Sequence, residues 1–150
     1  MTYKISIISQ AVLDVVEEDA RRMLEPAVAR SEGRHSMDSV LASVAIGHSV
    51  LWFAFGENGK PAGAVVTQVE HYPMKRMLNL IFCGGDDLEG WHQDMLDVLD
   101  NYAAHNHCAG LELVGRYGWK RFLEKAGWKS DYVVCQRMFD TQAEEERDAA

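Results

Sequence analysis

The chain has 150 residues, of which 47% are apolar, 25% charged and 9% aromatic, the size and composition of one soluble globular domain. Its longest nearly unbroken apolar run, Val50 to Phe55, is far short of the ~20 residues that span a bilayer. The 23 acids against 15 Lys and Arg give a net charge of −8, and no basic stripe interrupts them, which argues against binding that neutralises nucleic-acid phosphates. The opening Met1-Thr2-Tyr3-Lys4 lacks the layout of a signal peptide. Cys83, Cys108 and Cys135 form no close pair, which points away from a disulfide framework and toward a reducing compartment. Five acids and one arginine between Asp140 and Ala150 read as a solvated, disordered tail, so the expected division is a domain over residues 1–139 and an acidic tail over 140–150.

In chain order, β-branched Tyr3 to Ser9 predicts an opening strand. Val12, Val15, Val16, Met23 and Leu24 recur near helical spacing and predict a first helix to about Glu25, where Pro26 breaks it, kinks it or opens a second piece. Ser36 is a candidate N-cap for a short helix carrying Met37, Val40, Leu41 and Val44, with Gly47 placed to end it. Val50 to Phe55 and Ala62 to Glu70 flank Asn58-Gly59, the signature of a hairpin, and a turn near Pro73 leads into a third strand, Arg76 to Cys83, ended by Gly84-Gly85. Leu88, Trp91, Met95, Val98, Leu99 and Tyr102 then share one face of the longest helix, with Asp94, Asp97 and Asp100 on another. Leu111 to Val114 predicts a brief strand parallel to Arg76–Cys83 through a right-handed crossover. Trp119 to Ala126 predicts a helix closed by Gly127, with Trp119 packed into the core, and Tyr132 to Phe139 a final strand.

The segment Trp119-Lys-Arg-Phe-Leu-Glu-Lys-Ala-Gly-Trp128, at the end of this order of elements, resembles the late helix of the GNAT superfamily of acyl-CoA-dependent N-acetyltransferases. Glu32-Gly33-Arg34-His35-Ser36, His71-Tyr72-Pro73-Met74-Lys75-Arg76 with Cys83-Gly84-Gly85, and Glu112-Leu113-Val114-Gly115-Arg116-Tyr117-Gly118-Trp119 are similar to GNAT-like proteins of tailed phages and prophages. The resemblance covers about residues 3 to 139. It implies an α/β fold with a mixed, mostly antiparallel sheet flanked by helices, a place in the cytoplasm of a bacterial host or in a virion, and a phage virion or host protein as partner; the charge balance and the short apolar runs set the further expectation that neither nucleic acid nor membrane is a partner.

The resemblance also implies an acetyl-CoA site at the start of the long helix, formed here by Gly84, Gly85 and Gly90. Backbone N–H groups and the positive helix end hold a pyrophosphate in such a site, whereas this chain places Asp86, Asp87 and Glu89 there, which repel one. Where the superfamily usually carries a tyrosine acid in the late helix stands Leu123, which transfers no proton. Two readings follow. In the first the acetyl-CoA site is degenerate, the cofactor binds weakly or not at all, and the protein is a non-catalytic binding or virion-associated component. In the second it is an N-acetyltransferase with an atypical site, Glu70 or Glu112 serving as general base and Tyr117 or Tyr132 as acid. Arg116, between Gly115 and Tyr117, is a candidate anion or carboxylate ligand through its guanidinium fork. His105-Asn106-His107-Cys108 has neither the spacing nor a second cluster for a metal site.

Overall fold

A computed structural model describes residues 2–139, so the acidic tail expected over 140–150 lies outside the described residues. They fall into two compact units divided after Leu113. The first holds a five-stranded sheet in the spatial order β1 (Lys4–Ile8), β2 (Val50–Phe55), β3 (Pro61–His71), β4 (Arg76–Gly85), β5 (Gly110–Leu113). The first three pairings are antiparallel and the last is parallel, as the crossover rule predicted. With its four helices this is the mixed, mostly antiparallel α/β class read from the sequence.

Between β1 and β2 run a 3-10 turn, Gln10–Val12, and the helices α1 (Leu13–Ala29) and α2 (Met37–Ala45). Pro26 neither ends nor splits α1, which continues for a further three residues. Its inward stripe is Leu13, Ala20, Met23, Leu24 and Val28, while Val15, counted among the apolar positions, is 82% exposed. Ser36 caps α2 reciprocally with Ser39: each hydroxyl accepts from the other's backbone N–H at 3.0 Å. Period-2 alternation sends Leu51 and Phe53 of β2 into the core shared with α1 and α2, and Trp52 and Ala54 to the opposite face.

That second face is covered by α3 (Leu88–His105), which buries Trp91, Met95, Leu96, Leu99 and Ala103. Leu88, expected to be buried, is only partly so. Trp91 lies over Gly63, where an added Cβ would enter the indole ring. Trp52 meets Tyr102 edge to face with ring centroids 5.0 Å apart, and its indole N–H donates to Thr67 Oγ1 at 2.9 Å.

The third long strand does not stop before Gly84 as the glycine pair suggested. Both glycines belong to β4, pairing with Ala64 and Gly63. A bulge at Ile81 sets both Ile81 and Phe82 against the α1/α2 core, and no strand among the described residues pairs with the outer edge of β4 beyond Leu80, whose partner Leu113 ends β5.

In the second unit, α4 (Tyr117–Glu124) ends where Trp128 N–H donates to Leu123 O at 3.0 Å and Gly127 takes φ 89°, a left-handed turn that glycine adopts without strain. Trp119, expected in the core, is half-buried and meets Phe122 edge to face. The final strand expected over Tyr132–Phe139 is not formed: residues 129–139 have no ladder partner, and Tyr132 and Val133 are 95% and 82% exposed. Its β-branched, aromatic composition sets a propensity, but a strand exists only where a neighbour takes up its backbone groups.

The three thiols differ in kind. Burial pushes the Cys83 thiol up to about 12, burial also raises Cys108 against the lowering pull of Arg76, and Cys135 is exposed. With a disulfide reagent at mildly alkaline pH, exposed Cys135 should react first, and half-buried Cys83, whose thiol is raised, far more slowly until the protein unfolds. Fast modification of Cys83 in the native state would contradict this placement.

Candidate functional site

The segment joining β4 to α3 is held on every side. A Cβ on Gly84 would strike the Met23 carbonyl of α1, and one on Gly85, whose φ is 118°, would strike the Ala62 carbonyl. Asp86 N–H donates to that carbonyl at 2.8 Å, and Asp86 O accepts from the Trp91 indole at 2.7 Å. Each member of the Gly84, Gly85, Gly90 set therefore has a packing reason for lacking a side chain, since a Cβ on Gly90 would meet the Asp87 carboxylate.

Asp87 is the N-cap of α3 and lies in the left-handed region at φ 53°, which Asp and Asn enter more readily than other residues with a side chain. Its side chain caps no helix N–H. Its carboxylate instead rests against Gly90 in the first turn and accepts from the Tyr3 hydroxyl at 2.5 Å, across 84 residues of sequence. That hydrogen bond is the first cause of a Tyr3 pKa raised above its ordinary value, followed by desolvation and by the charges of Asp87 and Glu57.

A diphosphate would need free backbone N–H groups and a positive helix end. Here Asp86 N–H is engaged with Ala62 O, Gly90 N–H donates to Asp87 O at 2.9 Å, and a pinned carboxylate stands beside the first turn between Asp86 and Glu89. The acids at this helix start set its charge against the pyrophosphate of acetyl-CoA.

The carboxylates suggested as bases lie on the sheet. Gln68, Asn79 and Glu112 are register partners across β3, β4 and β5 and so share one face, with Glu70 two residues along β3. All four are half-buried. Tyr72, in the turn after β3, donates its hydroxyl to Glu112 at 2.6 Å. This bond, then desolvation and the charges of Glu112 and Glu70, raises the Tyr72 pKa. The structure thus groups Glu70 and Glu112 around a tyrosine that sequence reasoning passed over. Tyr117 and Tyr132, the suggested acids, belong to the second unit and are 86% and 95% exposed. Arg116 is there too, as the N-cap of α4, exposed and making no side-chain cap bond.

Both tyrosine–carboxylate pairs can be checked by NMR titration of ring-labelled tyrosines. Tyr3 and Tyr72 should titrate above the ordinary ~10, because a carboxylate acceptor stabilises the neutral phenol. Asp87→Asn should lower Tyr3 alone, and Glu112→Gln should lower Tyr72 alone. Ordinary midpoints in the unmodified protein would show that neither bond forms in solution.

Among the described residues no group of three His, Cys, Asp or Glu side chains converges to hold a metal ion, and no helix is long and apolar enough to cross a membrane.

No protein-family model and no curated protein matches the sequence. Solved structures do match the fold. Glucosamine-6-phosphate N-acetyltransferase from Arabidopsis thaliana is 15% identical with a TM-score of 0.64, covering 93% of this chain and 100% of its own. An acetyltransferase from Trypanosoma brucei is 11% identical with a TM-score of 0.62, covering 92% and 100%. A predicted acetyltransferase with acetyl-CoA from Clostridium acetobutylicum is 15% identical with a TM-score of 0.65, covering 90% and 96%. At these identities the likeness establishes the GNAT acetyltransferase fold.

Proposed function

We propose that this chain is a GNAT-fold binding protein that does not transfer acyl groups, a component of the kind carried by tailed phages and prophages, acting on a virion or host protein within a bacterial cell. The observation that carries this reading is the Asp87 carboxylate, fixed by Tyr3 against the first turn of α3. Function resides in the site and not in the fold, so likeness to acetyltransferases does not bring their chemistry with it. The face bearing Gln68, Glu70, Asn79 and Glu112 keeps a half-buried polar surface beside the bulged strand, which suits recognition without requiring turnover.

The test is thiol release from acetyl-CoA in the presence of a panel of primary amines, amino sugars and lysine-containing peptides. The proposal expects no acceptor-dependent release. Acceptor-dependent release that is lost in Glu112→Gln would establish instead an N-acetyltransferase with an atypical cofactor site and Glu112 as its base.

A further inference from the structure

β5 ends the sheet, and among the described residues no strand pairs with its outer edge. The same chain carries a strand-like segment that has no sheet. Tyr132, Val133, Val134, Met138 and Phe139 are all more than half exposed, and residues 129–139 have no ladder partner. The apolar area of these five side chains is on the order of 600 Å², the upper end of what a soluble monomer exposes in one patch. Two such strands, with the two edges they would cover, approach the ~1,600 Å² of a stable interface.

Segment and edge are complementary in charge. Glu112 is the one charged residue of β5, and Arg137 the one charged residue from Tyr132 to Phe139. The Arg137 guanidinium lies over the Phe139 ring, 5.3 Å from its centroid, so the two share one face, as i and i+2 do in an extended strand. An antiparallel strand with Arg137 opposite Glu112 sets Phe139 over Gly110, which has no side chain to obstruct the ring, and Met138 beside Leu111. Gln136 then stands at Leu113, and Cys135 at Val114, the residue that follows β5.

We propose that Tyr132–Phe139 of one copy of this chain adds antiparallel to β5 of a second copy, which returns its own strand to the first and closes a twofold dimer. Within one chain the segment and β5 do not pair. Only Trp128 to Asp131 separate Tyr132 from the Gly127 turn that closes α4, and a short connection favours exchange over folding back. Exchange gives the strand-forming composition the neighbour it lacks, makes β5 an internal strand, and pairs the backbone groups of both. The inference stands whether or not the protein transfers acyl groups.

The experiment is analytical ultracentrifugation of the full chain over a dilution series, joined to a disulfide test of the register. The unmodified protein should sediment as a dimer at about 100 μM and dissociate on dilution. Arg137→Glu and Glu112→Arg each set like charges opposite one another at two places in the dimer and should weaken it roughly tenfold, while the double variant, which restores opposite charges, should recover most of the loss. Under mild oxidation Val114→Cys should bond to the partner's Cys135 and give a covalent dimer on a non-reducing gel, absent when Cys135→Ser is added. Three results would overturn the proposal: a monomer at every concentration up to about 1 mM, a dimer that the charge changes do not weaken or the double variant does not restore, or a Val114→Cys disulfide closed within a single chain, which would make the segment a strand of its own sheet.

Discussion

Trp91→Ala should destabilise the protein by ~3–5 kcal/mol and lower its melting temperature by roughly 10–15 °C. Trp91 is 1% exposed, lies over Gly63 of β3, and hydrogen-bonds the Asp86 carbonyl, so its removal leaves a large cavity on the α3 face and an unsatisfied acceptor in the β4–α3 connection. The converse change, Gly63→Ala, should cost ~1–3 kcal/mol, because its Cβ enters the space of the indole. The two should couple: in the Trp91→Ala background the added methyl meets a void, so its cost should shrink toward zero. Denaturant unfolding of the four proteins reads this directly. Additive costs would mean that α3 shifts freely over the sheet.

Much of the fold was legible because its signals are local. The Asn58-Gly59 turn sets the β2–β3 hairpin, with Gly59 at φ 75°, the Ser36 cap starts α2, and the Trp91, Met95, Leu99 spacing marks the buried face of α3. What was missed depends on partners distant in sequence. Tyr132 to Phe139 has the composition of a strand, and no sheet edge pairs with it among the described residues. Trp119 looked like an anchor by residue type, whereas Trp91 is the indole that is fully buried, and nothing in either local sequence distinguishes them.

The site divides in the same way. The acidic start of α3 was readable as a sign of charge, which is the ground for expecting a pyrophosphate to be repelled there. What local sequence could not show is that Tyr3 reaches Asp87, that Asp87 takes a left-handed conformation, and that Gly90 makes room for its carboxylate. Glu70 and Glu112 were picked out as carboxylates, but Tyr72, which binds one and feels the charge of the other, sits in a turn that the sequence marks only as a turn.

Calorimetric titration of acetyl-CoA tests the central claim most directly, on the unmodified protein and on one in which Asp86→Asn, Asp87→Asn and Glu89→Gln remove the three charges while keeping their approximate shape. The account predicts no saturable heat from the unmodified protein up to about 1 mM ligand and an affinity at least about tenfold higher once the acids are neutral, a change of ~1.4 kcal/mol or more. The gain should be reproduced in large part by Asp87→Asn alone, since Asp87 is the acid that Tyr3 pins against the helix start. Binding of acetyl-CoA by the unmodified protein at micromolar concentration would contradict the account, because it would show that the cofactor enters with the Asp87 carboxylate in place.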